Sequence, residues 1–116
     1  MSAPQRRRWD RYRKELDVAI VGGDGATVRG RTQDVCDGGL GVICREALPI
    51  GADYGFTIAE IAETPLAGNV RWCTPTQNTG EYLIGVQFNG LSKSQGDSLA
   101  ECIARWKSEG GDVGDD

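Results

Sequence analysis

Short apolar runs separated by turn-forming residues divide the whole chain, and this pattern limits what it can fold into. Glycine supplies 17 of the 116 residues, about twice its ordinary share. Glycine favours tight turns because it adopts positive φ without steric cost. Regularly spaced short strands are typical of a barrel or sandwich, and a chain of this length can build one core. The sequence therefore predicts a single strand-rich domain.

Six of these runs are predicted strands. LDVAIV and TVRGRTQDV flank the turn GGDGA, an arrangement typical of a hairpin. The other four predicted strands cover residues 40–44, 54–61, 67–73 and 82–88, where apolar residues are enriched. Closing the sheet would remove exposed edges. We therefore predict a small barrel of about six strands.

The ends of the chain differ from this strand-rich middle. Four apolar residues recur at helical spacing near the C-terminus: Leu99, Cys102, Ile103 and Trp106. They predict one helix whose apolar face lies against the barrel. Residues 1–15 lack apolar periodicity and are predicted to form a flexible basic arm, and residues 109–116 a disordered acidic tail. Residues 16–108 then form the barrel and helix.

Charge is unevenly distributed along the chain. Residues 1–14 carry six basic side chains against one acidic one, a net charge of +5, while the other 102 residues carry 7 basic and 16 acidic ones, a net charge of -9. A basic terminal block of this kind is either an anion-binding segment or a solvated tail. The acidic body disfavours an extended DNA partner.

Several classes of protein do not fit the composition. Without an apolar run of about 18 residues or a secretory signal, we expect a cytoplasmic protein with no membrane insertion. The 4 cysteines form no CxxC pair and the chain has no histidine, so reduced, mostly buried thiols fit better than a metal site. No paired base and nucleophile is recognisable. We therefore expect a protein that is not an enzyme and needs no cofactor.

Two elements carry recognisable binding chemistry. Arg7 and Arg11 form an RxxxR pair on the arm, and guanidinium forks bond bidentately to phosphate or to the guanine O6 and N7 atoms. Asp34 supplies an acceptor for the guanine N1–H and N2–H₂ edge. Gly38 and Gly39 allow a tight turn and close approach of a ligand. Asp34 capping an ordinary turn is the alternative interpretation.

At these residues the chain resembles the PilZ family of cyclic di-GMP receptors. The family pattern RxxxR followed by (D/N)xSxxG is matched by Arg7, Arg11, Asp34 and Gly39, with Cys36 in place of the serine. LPIG, NVRW, YLIGVQF and the closing helix extend the resemblance to residues 6–108. RxxxR alone is a weak signal, whereas both motifs in order within this strand pattern are more specific.

The resemblance implies a fold and a function. The fold is a six-stranded antiparallel β-barrel, and the function is binding of the bacterial second messenger cyclic di-GMP, with the signal passed to an unknown protein effector. Arg6 becomes a further candidate for stacking on a base. The thiol of Cys36 is a weaker hydrogen-bonding group than a serine hydroxyl. The alternative is accordingly a PilZ-like adaptor that does not bind the ligand and acts by protein contacts, for example in pilus or motility machinery.

Overall fold

The described part of the chain folds into a closed barrel with one helix. The computed structural model describes residues 11–109 and 113–114. The strands are β1 (Arg11–Tyr12), β2 (Asp17–Val21), β3 (Thr27–Cys36), β4 (Gly39–Cys44), β5 (Asp53–Thr57), β6 (Leu66–Pro75), β7 (Tyr82–Phe88) and β8 (Val113–Gly114), and the helix is α1 (Lys93–Ser108). Within the described residues, no helix combines the length and the apolar character needed to cross a bilayer.

The strand order closes the sheet on itself. Six antiparallel strands follow one another as β2, β5, β6, β7, β4 and β3, and β3 pairs back with β2. Two short strands extend one side, because β1 pairs with β3 and β8 pairs with β1. The predicted six-stranded antiparallel barrel with a C-terminal helix is confirmed.

The barrel interior is one apolar core built by alternating strand residues. Side chains at period two point to the same face of a strand, and Val18 and Ile20 of β2 are both 1% exposed. The helix adds three buried residues to the same cluster: Leu99, Cys102 and Trp106. The predicted apolar helix face thus packs on the barrel.

The four cysteines are free thiols that belong mainly to this interior. Cys36, Cys44 and Cys102 are buried, and Cys73 is half-buried. Burial raises the pKa of the Cys44 thiol, because low dielectric surroundings disfavour the thiolate. The expectation of mostly buried thiols is therefore met.

The first residues described do not behave as an unattached arm. Tyr12 is 2% exposed and pairs with Val35, while its ring packs on that of Trp106 with centroids 6.4 Å apart. The buried hydroxyl of Thr32 accepts a hydrogen bond from the Leu16 amide (2.9 Å) and donates one to the Lys14 carbonyl. The predicted arm boundary at residue 15 is thus placed too late, because a lone buried tyrosine gives no periodic signal.

The clearest differences from the predicted element boundaries are at the end of β5 and the start of the helix. β5 ends at Thr57 rather than Ile61, because the amides of Ile61 and Ala62 both donate to the Ile58 carbonyl and form a turn. The helix begins at Lys93, well before Leu99, the first residue of the predicted apolar face, since Ser92 and Gln95 form a capping box. Capping boxes satisfy free amides at a helix start.

Gly96 offers a test of the helix. It lies in the first turns of α1, and a β-carbon built on it meets nothing within 4 Å. Gly96→Ala is therefore expected to stabilise the protein by about 0.5–1 kcal/mol, because alanine loses less backbone entropy in a helix. Thermal denaturation should show a higher Tm than wild type. A lower Tm would contradict the open surroundings of Gly96.

A surface ion pair predicts how stability depends on pH. Arg31 Nη1 lies 3.2 Å from Glu81 Oε2, and hydrogen bonding to Arg31 lowers the pKa of Glu81 below its ordinary 4.5. A lowered folded-state pKa contributes stability above the unfolded pKa that is lost as pH falls. The Tm difference between wild type and Glu81→Gln should therefore shrink below about pH 4.5. A difference independent of pH would contradict this assignment.

Candidate functional site

The β3–β4 hairpin carries four of the predicted site residues. Residues 37–38 form its turn, Cys36 pairs with Gly39, and Asp34 pairs with Gly41. Gly39 is held close to the neighbouring strand, because a β-carbon there would lie 2.0 Å from the Val86 carbonyl oxygen. The glycine of the predicted motif is therefore required by barrel packing itself.

A β-bulge decides where Asp34 points. The register of β3 against β4 shifts between Thr32 and Asp34, with Gln33 as the extra residue. Strand residues alternate between faces, so without the bulge Asp34 would share the interior face of buried Thr32. With it, Val35 is fully buried and Asp34 is only partly buried. The bulge thereby puts a carboxylate on the outer surface.

Arg11 and Asp34 form an ion pair at this surface. Arg11 Nη1 lies 3.3 Å from Asp34 Oδ1 and 3.2 Å from Oδ2. The Gly41 amide also donates to Oδ1 at 3.0 Å, which fixes the carboxylate on the hairpin. The Arg11 side chain is 43% exposed and that of Asp34 18%. Both predicted residues therefore meet where a solute could reach them.

A second bulge places an aromatic ring on the same outer surface. Val70 pairs with Val86 but Trp72 pairs with Gly85, which leaves Arg71 as the extra residue in β6. Trp72 is consequently 41% exposed. Strict alternation from buried Val70 would place Trp72 on the interior face, and the bulge reverses that alternation.

Glycines form the floor between the carboxylate and the ring. Across four adjacent strands, Asp34 pairs with Gly41, Gly41 with Gly85, and Gly85 with Trp72. The indole lies directly over Gly85, where a β-carbon would come within 2.2 Å of its Nε1 and Cε2 atoms. A β-carbon on Gly41 would lie 3.0 Å from Asp34 Oδ1. Asp34 and Trp72, at the two ends of this row, are thus separated only by the backbone of two glycines.

A groove of about 270 Å³ lies beside this row. Ten residues line it: Arg11, Cys36, Gly38, Gly39, Leu40, Arg71, Trp72, Gly85, Val86 and Gln87. Arg11 and Arg71 supply guanidinium donors, and Trp72 supplies a flat ring on which a base can stack. The arrangement suits a small anionic ligand that contains a planar ring.

The structure unites most of the predicted site and adds a second wall to it. Arg11, Asp34, Cys36 and the two motif glycines lie together at or beside the groove. The predicted site residues Arg6 and Arg7 lie outside the described residues. Arg71 and Trp72 were missed, although the NVRW run contains both, because a bulge within a strand leaves no clear mark in a single sequence.

The described residues form a small antiparallel barrel with a groove on its outer surface. The sequence matches the family described as the PilZ domain over residues 5–105. The chain therefore belongs to the PilZ domain family.

Individual relatives are similar in sequence or in fold. The chain is 31% identical over 102 residues to the flagellar brake protein YcgR of Thioalkalivibrio sulfidiphilus (strain HL-EbGR7), covering 83% of the chain but only 40% of that protein. It superposes on the PilZ domain of Escherichia coli YcgR, solved with c-di-GMP, with a TM-score of 0.70 and 17% identity, over 91% of this chain and 95% of that one. The K. pneumonia MrkH–c-di-GMP complex gives a TM-score of 0.73 and 20% identity, over 92% of this chain and 55% of that one. The two structural matches show a shared fold.

Proposed function

We propose that this chain is a receptor that binds cyclic di-GMP without altering it and passes the signal to a protein partner. The observation that carries the proposal is the ion pair beside the groove between Arg11 of the RxxxR pair and Asp34 of the hairpin motif. The c-di-GMP complexes of two proteins with the same fold support it. The expected cytoplasmic location stays a prediction.

Asp34 is proposed to accept hydrogen bonds from a guanine base. Its two oxygens are held by Arg11 and the Gly41 amide, so the carboxylate is already oriented outward on the hairpin. The guanine N1–H and N2–H₂ donors could replace the Arg11 contact, since an ionised carboxylate accepts several bonds. Arg11 would then be released for the ligand phosphates or for guanine O6 and N7.

The remaining ligand contacts divide between the groove and the arm. Trp72 lies where a base can stack, and Arg71 lies beside it. The groove of about 270 Å³ lies just below the usual size range of ligand pockets, roughly 300–1,000 Å³. One guanine therefore fits the groove, and we propose that Arg6 and Arg7 hold the phosphates and the second half of the ligand.

Cys36 provides a specific test of how the hairpin contacts the ligand. The residue lines the groove and is 7% exposed. A serine hydroxyl forms a better hydrogen bond than a thiol, typically worth about 0.5–1.5 kcal/mol. Cys36→Ser is therefore expected to tighten cyclic di-GMP binding by about two- to tenfold, measured by isothermal titration. Unchanged affinity in a normally folded variant would show that the ligand does not contact this side chain.

The alternative function is an adaptor that acts by protein contacts without the ligand. Cys36 favours it, because the thiol replaces the hydroxyl of the family pattern. Titration must therefore decide between the two functions.

The deciding experiment is isothermal titration of the purified chain with cyclic di-GMP at physiological salt. Cyclic di-AMP is the matched control, because it has the same sugar–phosphate ring. Its adenine bases lack the N1–H and N2–H₂ donors of guanine. Saturable binding of cyclic di-GMP with much weaker binding of cyclic di-AMP is the expected result. No heat with either nucleotide at high concentration would reject the receptor and favour the adaptor. Equal binding of both would show that charge alone attracts the ligand.

A further inference from the structure

Gln87 is a polar side chain of the groove that the proposed ligand contacts leave unused. It is exposed on β7 and lines the groove, and its side chain makes no hydrogen bond to another of the described residues. Its cross-strand neighbour Asn69 differs, because Asn69 Nδ2 donates to the Gly51 carbonyl at 2.8 Å and to Asp53 Oδ1 at 2.9 Å. Of these two amides, that of Gln87 is the one open to a ligand.

The position of Gln87 puts this amide at the edge of the stacking surface. On its other side Gln87 pairs with Gly39, so no side chain on that residue separates it from the β3–β4 hairpin. It follows Gly85 by two residues on the same face of β7, a spacing of about 7 Å. Gly85 lies under the indole of Trp72. A base that stacks on Trp72 therefore turns one of its edges toward Gln87.

The hydrogen-bonding capacity of Gln87 differs from that of the other polar side chains in the groove. Arg11 and Arg71 line it with guanidinium groups, which carry donors only and form their strongest bonds with phosphate. An uncharged amide has no such preference for an anion. It does suit a base edge, since a glutamine amide can bond to the N7 atom of a purine. Gln87 is therefore matched to the base and the arginines to the phosphates.

We infer that Gln87 selects a purine in the groove by donating a hydrogen bond from its Nε2 atom to N7 of the guanine. The inference rests on the function proposed above, in which Asp34 accepts from the N1–H and N2–H₂ edge. N7 belongs to the five-membered ring and lies away from that edge. Gln87 correspondingly lies two strands from Asp34, across β4. The two side chains together read opposite edges of one base and fix its orientation on Trp72.

Titration with cyclic di-GMP tests whether Gln87 contributes to binding. Gln87→Met keeps the length of the side chain and removes its N–H donor, and is expected to weaken binding by about two- to tenfold, the equivalent of one neutral hydrogen bond. Gln77→Met is the matched control, because Gln77 is also exposed but does not line the groove. Its affinity should stay within about twofold of wild type, as for other surface substitutions. Both variants should keep the Tm of wild type.

A modified ligand tests the contact with N7 itself. Cyclic di-GMP in which both N7 atoms are replaced by C–H should bind wild type more weakly than cyclic di-GMP does. This loss should be about two- to tenfold smaller in Gln87→Met, because that chain has no donor for N7 to lose. Other contacts to N7 would lower affinity equally in both chains.

Three outcomes would count against the inference. Equal affinity of wild type and Gln87→Met for cyclic di-GMP would overturn it and leave the proposed function intact. An equal loss with the modified ligand in both chains would do the same, because Gln87 would then not read N7. No binding of cyclic di-GMP by wild type would overturn the proposed function and the role of Gln87 together.

Discussion

Replacing Arg11 with alanine is expected to weaken cyclic di-GMP binding by about ten- to a hundredfold, which corresponds to the loss of one charge-assisted hydrogen bond. The guanidinium is 43% exposed at the groove, where a phosphate can reach it. Its removal also leaves the Asp34 carboxylate without its cation, so the negative potential that meets the phosphates increases. Titration calorimetry on wild type and variant measures the difference.

Arg29→Ala is the matched control for this experiment. Arg29 is exposed, lies on the same strand as Asp34 and pairs with Ala19 at the far end of β3. Arg29 and Asp34 are five positions apart, or roughly 17 Å along a strand. Arg29→Ala removes the same charge and should leave affinity within about twofold, since a solvated charge more than one Debye length away is largely screened. Equal losses in both variants would point to general charge attraction and against a specific contact of Arg11.

Gly39→Ala is expected to lower the free energy of unfolding by about 2–4 kcal/mol. Overpacking a closed interior typically costs about 1–3 kcal/mol and occasionally more. The added β-carbon would lie 2.0 Å from the Val86 carbonyl oxygen and 3.1 Å from the Gln87 α-carbon. These are backbone atoms of the neighbouring strand, so relief requires β4 and β7 to separate. Urea denaturation with a shared m-value measures the change in the free energy of unfolding.

Gly23→Ala is the control for a glycine that has room. It lies in the β2–β3 turn, where a β-carbon meets nothing within 4 Å, and it is not among the glycines with positive φ. This variant should stay within about 0.5 kcal/mol of wild type, as is usual for surface substitutions. Comparable stabilities for the two variants would mean that Gly39 is retained for ligand approach and not for packing.

The regular part of the fold could be predicted from sequence. Alternation of apolar residues and turn signals located the six barrel strands, because each strand has one face on the core. The helix followed from the spacing of Leu99, Cys102 and Trp106 on one face. β1 could not be predicted, since a strand of two residues with one buried tyrosine shows no hydrophobic periodicity.

The candidate site was predictable only where it was written as a motif. Arg11, Asp34 and Gly39 stand at recognisable spacings, and the structure brings them to one hairpin and its neighbouring strand. Arg71 and Trp72 depend on a bulge, and a bulge arises from pairing between strands rather than from local preference. Strict alternation places Trp72 on the wrong face for this reason.

The burial of Tyr12 has a consequence for how the arm engages a ligand. Its backbone pairs with Val35 of β3 and its buried ring packs on that of Trp106, so the neighbouring Arg11 is tethered at the groove before any ligand arrives. Fixing the backbone of one residue costs about 1–2 kcal/mol of conformational entropy. For Arg11, folding has already fixed the backbone. A ligand that reaches the groove therefore meets an Arg11 whose backbone is already ordered by the buried neighbour Tyr12.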